Sequence, residues 1–375
     1  MRIAIVQATR TPHTIARLTR AHTCARERGH DLQALTVAGH QSDYAWPSSG
    51  AMPFEMEVFP GRDYWDLGYL ELRRALLAAL TTLDPDAVLI PGWAFKESWV
   101  ALGWALRSDR ATVLVSDSQP GEARAGAGRS FMRSVVSGAV GGALVAGTPH
   151  RDYLTSLGVP AARVLLGCDV VDNAHFATAA TLRSQAGYRL LSVVRLLPRK
   201  NLRSVLAAMV SGDSRWSWTI AGDGPERPDL ERTAADLGLD DRVRFLGNIG
   251  YRDLPDVYAE ADMFIHPSLS EPWGLAVNEA MAAGLPVLVS ARCGCSTDLV
   301  GTGANGSIFE PSVEGIRDAL ARAIDRQGDW VAMGARSREV ISHWNLDLYA
   351  DNVVRCAEAV FEAPRRGIAS LLRIL

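Results

Sequence analysis

Lysine is nearly absent from this sequence, where only Lys96 and Lys200 occur among 39 basic residues. A lysine that persists in so arginine-rich a chain is a candidate for a specific role. The five cysteines form no disulfide framework, which argues against a disulfide-stabilised secreted domain and fits a reducing compartment. Cys293 and Cys295 lack the second pair that would complete a metal site, so we interpret them as ordinary thiols.

Excess charge and long apolar runs are also missing. The formal net charge is −3, which argues against a nucleic-acid-binding protein or a strongly basic membrane surface. No apolar run is long enough for a transmembrane helix, and the N-terminus shows no signal pattern. We therefore expect a soluble, cytoplasmic protein. The tail PRRGIASLLRIL (364–375) could still touch the inner face of the membrane, although we favour its packing on the first domain.

The chain contains enough apolar sequence for two cores. It has 375 residues, of which 48% are hydrophobic, and this length favours two domains. Short apolar runs alternate with helical stretches in both halves, which indicates parallel sheets covered by helices on both faces. The runs predicted as strands are 2–8, 32–38, 55–59, 87–91, 112–116 and 143–147 in the first half, and 189–194, 216–222, 243–247, 262–267 and 286–290 in the second.

The predicted fold class is α/β, with two Rossmann-like domains facing an interdomain cleft. A loosely patterned segment at about 175–187 is the predicted linker between them. In such sheets ligands bind beyond the carboxyl ends of the strands. The loops that follow the predicted strands are therefore where we look for functional residues.

The stretch SEPWGLAVNEAMAAGLPVLVS (270–290) carries two carboxylates in such a loop and its following helix. Glu271 lies in a Pro/Gly-rich turn, and Glu279 lies inside a predicted helix that ends at Gly284. The start of that helix is an anion site because of its free N–H groups and its dipole. Two acceptor carboxylates beside an anion site suit a ligand with phosphates and hydroxyls, such as a nucleotide sugar.

Cationic residues follow the first strand of the second half. Arg195 and Lys200 in SVVRLLPRKNL could hold a diphosphate without a metal, or could belong to a solvated turn. The segment AGDGPE places Gly222 after the next strand, but it lacks the third glycine of a dinucleotide fingerprint. We interpret it as a sharp turn that lines the cleft.

Aromatic and acidic residues of the first half give weaker signals. Trp93 follows a predicted strand and is the tryptophan best placed to face the cleft, whereas Trp99 and Trp104 suit helix packing. Asp84 and Asp86 resemble a metal-binding Asp-x-Asp pair. Because they precede a strand instead of following one, we predict no metal site there.

The segments VVRLLPRKNL, IAGDGPE, VRFLGNI, ADMFIHPSLSEPWGL and GCSTDLV resemble those of family 4 glycosyltransferases in the same order, over about residues 189–310. These are retaining enzymes of GT-B fold, and their Glu-x7-Glu segment matches Glu271 and Glu279. The N-terminal half resembles the family more loosely. The resemblance implies an acceptor-binding domain at 1–177, a donor-binding domain at 188–340, and a helical segment at 341–375 that packs back on the first domain.

The resemblance further implies a hexosyltransferase that moves a sugar from a nucleotide-diphosphate sugar to an acceptor hydroxyl, with no metal and no cofactor besides that co-substrate. The acceptor would be a carbohydrate, a lipid-linked molecule or a small molecule. Glu279 would accept hydrogen bonds from the ribose, and Glu271 would face the donor sugar and its anomeric carbon. Arg195 and Lys200 would hold the diphosphate. The donor-binding positions implied are Glu279, Gly274, Leu275, Gly222 and Gly247.

Two loops depart from the family pattern. The first loop, TRTPHTIARL, has Pro12 and His13 where the family has a glycine pair, so His13 could offer a side-chain contact instead. The loop after TVLV has Asp117 and Ser118 in place of a histidine near the reacting sugar. Asp117 would either deprotonate the acceptor hydroxyl or cap a turn. The acceptor or cleft candidates are His13, Trp93, Ser118 and His150.

Two other functions stay open. A GT-B relative could be a phosphorylase or an epimerase, but a phosphorylase normally needs pyridoxal phosphate on a lysine, and Lys200 is assigned to the diphosphate. A catalytically silent subunit that binds sugar nucleotides is the other alternative. The intact set of Glu271, Glu279, Arg195 and Lys200 argues against it.

Overall fold

The computed structural model describes residues 1–42, 50–119, 127–177, 187–301 and 303–362, without the side chains of 127–132. The tail at 364–375 and most of the predicted linker at 175–187 lie outside the described residues. The chain divides into two compact units, Met1–Val170 with Leu346–Leu375, and Val171–Asn345. Residues 171–177 thus group with the second unit, whereas the family resemblance implies a first domain that extends to 177.

A parallel sheet forms the centre of the first unit. Its described strands are β1 (Arg2–Gln7), β2 (Asp31–His40), β3 (Glu55–Asp63), β4 (Ala87–Pro91), β5 (Ala111–Ser116), β6 (Gly142–Val145) and β7 (Val164–Leu166), in the order β3-β2-β1-β4-β5-β6-β7. The helices between them are α1 (Pro12–Glu27), α2 (Tyr69–Leu83), α3 (Lys96–Arg107), α4 (Ala127–Ala139) and α5 (Thr148–Ser156). The central strands are continuously apolar because helices cover the sheet.

The second unit repeats this arrangement. Its described strands are β8 (Tyr188–Val193), β9 (Trp216–Ala221), β10 (Val243–Gly247), β11 (Met263–His266), β12 (Val287–Ser290) and β13 (Gly306–Phe309), in the order β10-β9-β8-β11-β12-β13. Its helices are α6 (Asn173–Phe176), α7 (Leu202–Ser211), α8 (Arg227–Asp236), α9 (Leu254–Ala259), α10 (Leu275–Ala282), α11 (Ser296–Leu299), α12 (Val313–Asp325) and α13 (Trp330–Ile341). The core includes the fully buried indoles of Trp216 and Trp218.

The last described helix, α14 (Leu346–Phe361), belongs to the first unit. It packs along α1 and against β4 to β7, and buries one apolar face that includes Val353 and Val354. Charged pairs along its edge join it to α1, among them Arg20 Nε with Asp347 at 2.5 Å. The described helices include none that combines the length and apolar character needed to cross a lipid bilayer.

The predicted α/β class with two Rossmann-like domains is confirmed, since both sheets are parallel and alternate with helices along the chain. Two short strands were not predicted, β7 with three residues and β13 with four. Each is the last strand at one end of its sheet and pairs with a single neighbour. Such short segments lack a periodic signal of their own and become strands because that neighbour offers hydrogen bonds.

The turn after β9 depends on a close approach between backbones. Gly222 has φ +126°, and a Cβ there would lie 2.0 Å from the carbonyl oxygen of Val194, in the loop after β8. The Gly222 N–H donates to the carbonyl of Gly247 at 2.7 Å. The glycine therefore lets three strand ends, those of β8, β9 and β10, lie against one another.

Replacing Gly222 should destabilise the second unit strongly. Gly222→Ala combines an unfavourable φ with overlap on Val194, so we expect the free energy of unfolding to fall by about 3 kcal/mol. Gly238→Ala is the matched control, because Gly238 has φ +66° but nothing within 4 Å of a Cβ. It should cost only about 1 kcal/mol. Urea unfolding curves measure both, and equal losses would contradict the close-approach explanation.

Candidate active site

The backbone of Glu271 is fixed by the loop that follows β12. Its N–H donates to the carbonyl of Arg292 at 3.2 Å, and its own carbonyl accepts from the N–H of Gly294 at 3.0 Å. Glu271 also forms an isolated parallel bridge with Cys293. The turn after β11 is therefore joined to the turn after β12, and the carboxylate of Glu271 starts from a defined position.

The turn between Glu271 and α10 is held by buried side chains. The indole N–H of Trp273 donates to Asn278 Oδ1 at 3.0 Å, and both residues are buried. Gly274 has φ +111° and precedes Leu275, the first residue of α10. Ordinary residues avoid that φ, so glycine is required at this position. Gly274 also has no side chain that could cap the helix, whose start is then suited to an anion.

The carboxylate of Glu271 is almost enclosed by donors. Its Oε2 accepts from the ammonium of Lys200, from Ser268 Oγ at 3.2 Å and from His266 Nε2 at 3.1 Å. The guanidinium of Arg199 lies 3.6 Å from the same oxygen. Glu271 is 8% exposed and Lys200 is 8% exposed, so this is a buried ion pair with additional hydrogen bonds.

These contacts set the charges of the cluster. Burial alone would raise the pKa of Glu271, but the hydrogen bond from His266 and the charge of Lys200 outweigh it and hold that pKa well below its usual range. Burial is also the largest cause that lowers the pKa of His266, and Lys200 and Arg199 add to it against the effect of Glu271. At neutral pH the cluster therefore holds an ionised carboxylate beside a neutral imidazole.

Glu279 lies one helical turn inside α10 and is 4% exposed. The hydroxyl of Tyr258 donates to its Oε2 at 2.5 Å. Burial and the charge of Glu279 raise the pKa of Tyr258. Phe176 of α6 packs edge-on against Tyr258 of α9 at 5.8 Å and against Tyr251, in the 3-10 turn before α9, at 5.6 Å. This aromatic group supports the side chain that donates to Glu279.

The other predicted donor-binding residues lie at strand ends of the same sheet. Arg195 is exposed in the loop after β8, and Lys200 ends the 3-10 turn that precedes α7. Gly222 follows β9, and Gly247 ends β10 with φ +73°. Because all these strands are parallel, their carboxyl ends share one edge of the sheet, where such folds bind ligands.

The acceptor candidates lie at strand ends of the first unit. Trp93 follows β4, and Asp117 and Ser118 follow β5, which is its neighbour in the sheet. Asp117 is exposed, and a turn-capping hydrogen bond runs from the Ser118 N–H to Ser116 Oγ at 3.2 Å. The Trp93 ring contacts Tyr153 edge-on at 6.2 Å.

The two histidine candidates of this unit are largely covered. His13 lies in the first turn of α1 and is 7% exposed, whereas His150 lies in α5 and is fully buried. His150 therefore has no surface for a ligand in this structure. His13 keeps a small exposed fraction at the start of a helix.

The acidic pair near β4 has a structural explanation. Asp84 contacts Arg2 at 2.9 Å and Arg110 at 2.6 Å, and Asp86 accepts from the Arg2 N–H at 2.7 Å. Asp84 and Asp86 are thus bound to arginines and hold the starts of neighbouring strands of the sheet in place. The thiols of Cys293 and Cys295 are buried, and burial is the main cause that raises the pKa of both.

His266, Ser268 and Tyr258 were not singled out from the sequence. His266 ends the apolar run of β11, and a polar residue at the end of a buried strand was the available signal. Ser268 and Tyr258 gave none, because a serine in a loop and a tyrosine in a helix are common. Their importance depends on which carboxylates they touch.

The second unit matches a known family. Residues 178–340 match the family model described as Glycosyl transferases group 1, and this range includes Glu271, Glu279, Arg195 and Lys200. The second unit therefore carries a group 1 glycosyltransferase domain.

Curated relatives match part of the chain. GDP-mannose-dependent alpha-(1-6)-phosphatidylinositol monomannoside mannosyltransferase of Mycobacterium tuberculosis is 33% identical over 168 residues, covering 42% of this chain and 43% of that protein. Alpha-monoglucosyldiacylglycerol synthase of Streptococcus pneumoniae is 36% identical over 115 residues, covering 28% of this chain and 26% of that protein. The matches span less than half the length of either relative.

Solved structures match nearly the whole chain. Sucrose-phosphate synthase of Thermosynechococcus elongatus has a TM-score of 0.77 at 18% identity, covering 97% of this chain and all of that chain. Anabaena HepE in complex with UDP-glucose has a TM-score of 0.74 at 16% identity, covering 95% and 98%. At these identities the similarity shows the fold, which is that of GT-B glycosyltransferases.

The ion pair between Lys200 and Glu271 gives a stability prediction. Lys200→Met leaves a buried carboxylate with only the more exposed and more distant Arg199 as a cation, and we expect a loss of about 3 kcal/mol in the free energy of unfolding. The double variant Lys200→Met with Glu271→Gln removes both charges, so it should recover more than half of that loss. Urea unfolding of the single and double variants measures the coupling. Strictly additive losses would mean that the pair contributes no coupling.

Proposed function

We propose that the protein is a retaining glycosyltransferase, which moves a sugar from a nucleotide-diphosphate sugar to an acceptor hydroxyl without a metal ion. The observation that carries the proposal is the cluster of Lys200, His266 and Ser268 around Glu271, inside a group 1 glycosyltransferase domain. It combines an ionised carboxylate with a cation at the carboxyl edge of the sheet. That combination suits a nucleotide-sugar donor, in which one bond joins the anionic diphosphate to the sugar.

Glu271 is assigned to the sugar end of the donor. During transfer the bond between the anomeric carbon and the diphosphate oxygen breaks, and positive charge develops on the sugar ring. A carboxylate that is already ionised and held in place stabilises that charge without reorganisation. With retention, the acceptor oxygen bonds on the face that the diphosphate leaves, and the acceptor proton passes to a base or to the departing oxygen.

The diphosphate is assigned to Lys200, Arg195 and the start of α10. Two cationic side chains can balance the leaving group's charge as a metal ion would. The backbone N–H groups near Gly274 and Leu275 add an anion site, since Gly274 cannot cap the helix. Asp84 and Asp86 are paired with arginines, which supports a mechanism that does not use them as metal ligands.

The nucleoside is assigned to Glu279, Gly222 and Gly247. Tyr258 uses one position on Glu279 Oε2. An ionised carboxylate offers about four acceptor positions, so it can still receive hydrogen bonds from ribose hydroxyls. The backbone of Gly247 would contact the base. The mycobacterial relative is named as GDP-mannose-dependent and the HepE structure is a complex with UDP-glucose, which makes these two donors the first to test.

The acceptor is assigned to the first unit. Trp93, Asp117 and Ser118 follow adjacent strands at its carboxyl edge, and His13 adds a partly covered side chain. The relatives named above act on phosphatidylinositol monomannoside or make a glucosyldiacylglycerol, as their names state. A carbohydrate, lipid-linked or small-molecule acceptor with a free hydroxyl fits the proposal.

Donor turnover tests the proposed function. The purified protein should release nucleoside diphosphate from UDP-glucose or GDP-mannose equally well with EDTA and with magnesium or manganese. An α-configured donor should give an α-linked product, which the one-bond C1–H1 coupling constant identifies by NMR. Glu271→Gln should lower kcat by at least ~10²-fold, comparable to the loss of one preorganised group in a transition state.

The matched control is Glu231→Gln, which neutralises an exposed carboxylate of α8 paired only with Arg227 among the described residues. It should leave kcat within about twofold, as expected for a surface ion pair. A β-linked product would reject retention. Turnover that EDTA abolishes and a divalent metal restores would reject metal independence, and wild-type kcat in Glu271→Gln would reject the assigned role of Glu271.

Asp117 is assigned as the base that deprotonates the acceptor hydroxyl. Asp117→Asn keeps the shape of the side chain, and Ser116 still supplies a cap to this turn. We expect kcat to fall by about 10²–10⁴-fold with the donor KM nearly unchanged, because only proton transfer is lost. Steady-state kinetics at saturating acceptor measure this. Near-normal kcat in that variant would show that another group, or the departing diphosphate, takes the proton.

A further inference from the structure

His266 contacts the same oxygen of Glu271 as Lys200, but it is held very differently. His266 is the last residue of β11, pairs in register with Val289 of β12, and is 2% exposed. Its ring lies nearly parallel to that of Phe264 on the same strand, at 6.1 Å. Lys200 reaches Glu271 through a flexible side chain from a 3-10 turn. The imidazole is therefore the fixed partner of the carboxylate and the ammonium is the movable one.

The proton of His266 can be assigned from its contacts. Nε2 lies 3.1 Å from Glu271 Oε2, whereas Nδ1 is buried and has no hydrogen-bond partner among the described residues. A proton on Nδ1 would thus be a buried donor without an acceptor, which is costly. The favoured form is a neutral ring that donates from Nε2 to Glu271. Such a donor orients a carboxylate without adding a second positive charge beside a sugar ring that becomes positive.

Lys200 and His266 have different roles once a nucleotide-sugar donor binds. The proposed function assigns Lys200 to the diphosphate, so its ammonium must be shared between the phosphate and Glu271 or leave Glu271 entirely. The guanidinium of Arg199, 3.6 Å from Glu271 Oε2, then stays as a cation, but its side chain is largely exposed, so the buried carboxylate also needs neutral donors to stay ionised and in place. Ser268 Oγ, 3.2 Å from Glu271 Oε2 and 3.3 Å from His266 Nε2, completes such a pair of donors.

We propose that His266 is a positioning residue that, together with Ser268, keeps Glu271 oriented and ionised while Lys200 turns to the diphosphate of the donor. The inference rests on the proposed function and adds a residue to it. His266 acts through Glu271 and needs no contact with the substrate. Removing its hydrogen bond should affect the transition state more than donor binding, because the charge that Glu271 faces develops only during bond cleavage.

The test compares two substitutions of His266 with one of a neighbour. His266→Phe keeps a ring but removes the donor, and kcat should fall about 10- to 100-fold with the donor KM changed less than about threefold. His266→Gln places an amide N–H near the position of Nε2, so it should recover most of that loss. Phe264→Leu is the matched control, since it removes the neighbouring ring on the same strand face but leaves the hydrogen-bond donor of His266 in place. It should keep kcat within about threefold.

A pH profile separates positioning from general damage. The charged or titratable groups around Glu271 include, among the described residues, Lys200, Arg199, His266, Cys293 and Cys295. The hydrogen bond from His266 lowers the pKa of Glu271, so its loss raises that pKa. As the pH falls, the variant then loses the activity that needs ionised Glu271 at a higher pH than the wild-type protein does. The acid limb of kcat should shift to higher pH in His266→Phe, but stay in place in His266→Gln and Phe264→Leu.

The outcomes are distinct when UDP-glucose and GDP-mannose are the donors. A wild-type kcat in His266→Phe would overturn the positioning role alone. Equal losses of kcat in His266→Phe and His266→Gln, without a shift of the acid limb of the pH profile, would also overturn it. If the wild-type protein turns over neither donor, the proposed function is contradicted, and so is this inference, because it rests on that function. If His266→Phe does not fold, Ser268→Ala and His266→Gln remain as test variants. A kcat that is lost completely in His266→Gln but kept in Phe264→Leu contradicts the proposal.

Discussion

A carboxylate inside a folded domain must be surrounded by donors, and the arrangement of the second unit's loops follows from how Glu271 meets that requirement. Lys200 comes from the turn after β8, while His266 and Ser268 come from the end of β11. The backbone of Glu271 is bonded to the loop after β12. One charged group thus ties together the carboxyl ends of three strands, and the loss of any donor leaves a buried charge less compensated.

Backbone constraints place the rest of the edge around this cluster. Gly222 allows the loop after β9 to lie against Val194, and Gly274 allows the chain to turn into α10 directly behind Glu271. A side chain is excluded at Gly222 and strained at Gly274, so the path of the backbone at both turns depends on glycine. Glu279, supported by Tyr258, lies in α10, the helix that begins directly after Gly274.

The electrostatics of the site suit a leaving group that carries more charge than the rest of the substrate. The cations Lys200, Arg199 and Arg195 lie between β8 and α7, while the neutral His266 ends β11 and the ionised Glu271 lies in the turn that follows it. A donor with phosphates at one end and a sugar at the other matches this separation of charge. In the proposed reaction the neutral imidazole would orient the carboxylate without opposing the charge that develops on the sugar.

The sequence by itself determined the parallel α/β architecture, because continuous apolar runs that alternate with helical stretches can be buried only in sheets with helices on both faces. By family resemblance it also indicated Glu271, Glu279, Arg195 and Lys200. Only the tertiary structure decided what those residues touch: Lys200 meets Glu271 across 71 positions of sequence, and Tyr258 meets Glu279 across 21. It also decided that His266 and Ser268 share the carboxylate of Glu271. Local patterns fix which face of a strand or helix is buried, but contacts between distant residues depend on how the elements pack, and charge states depend on those contacts.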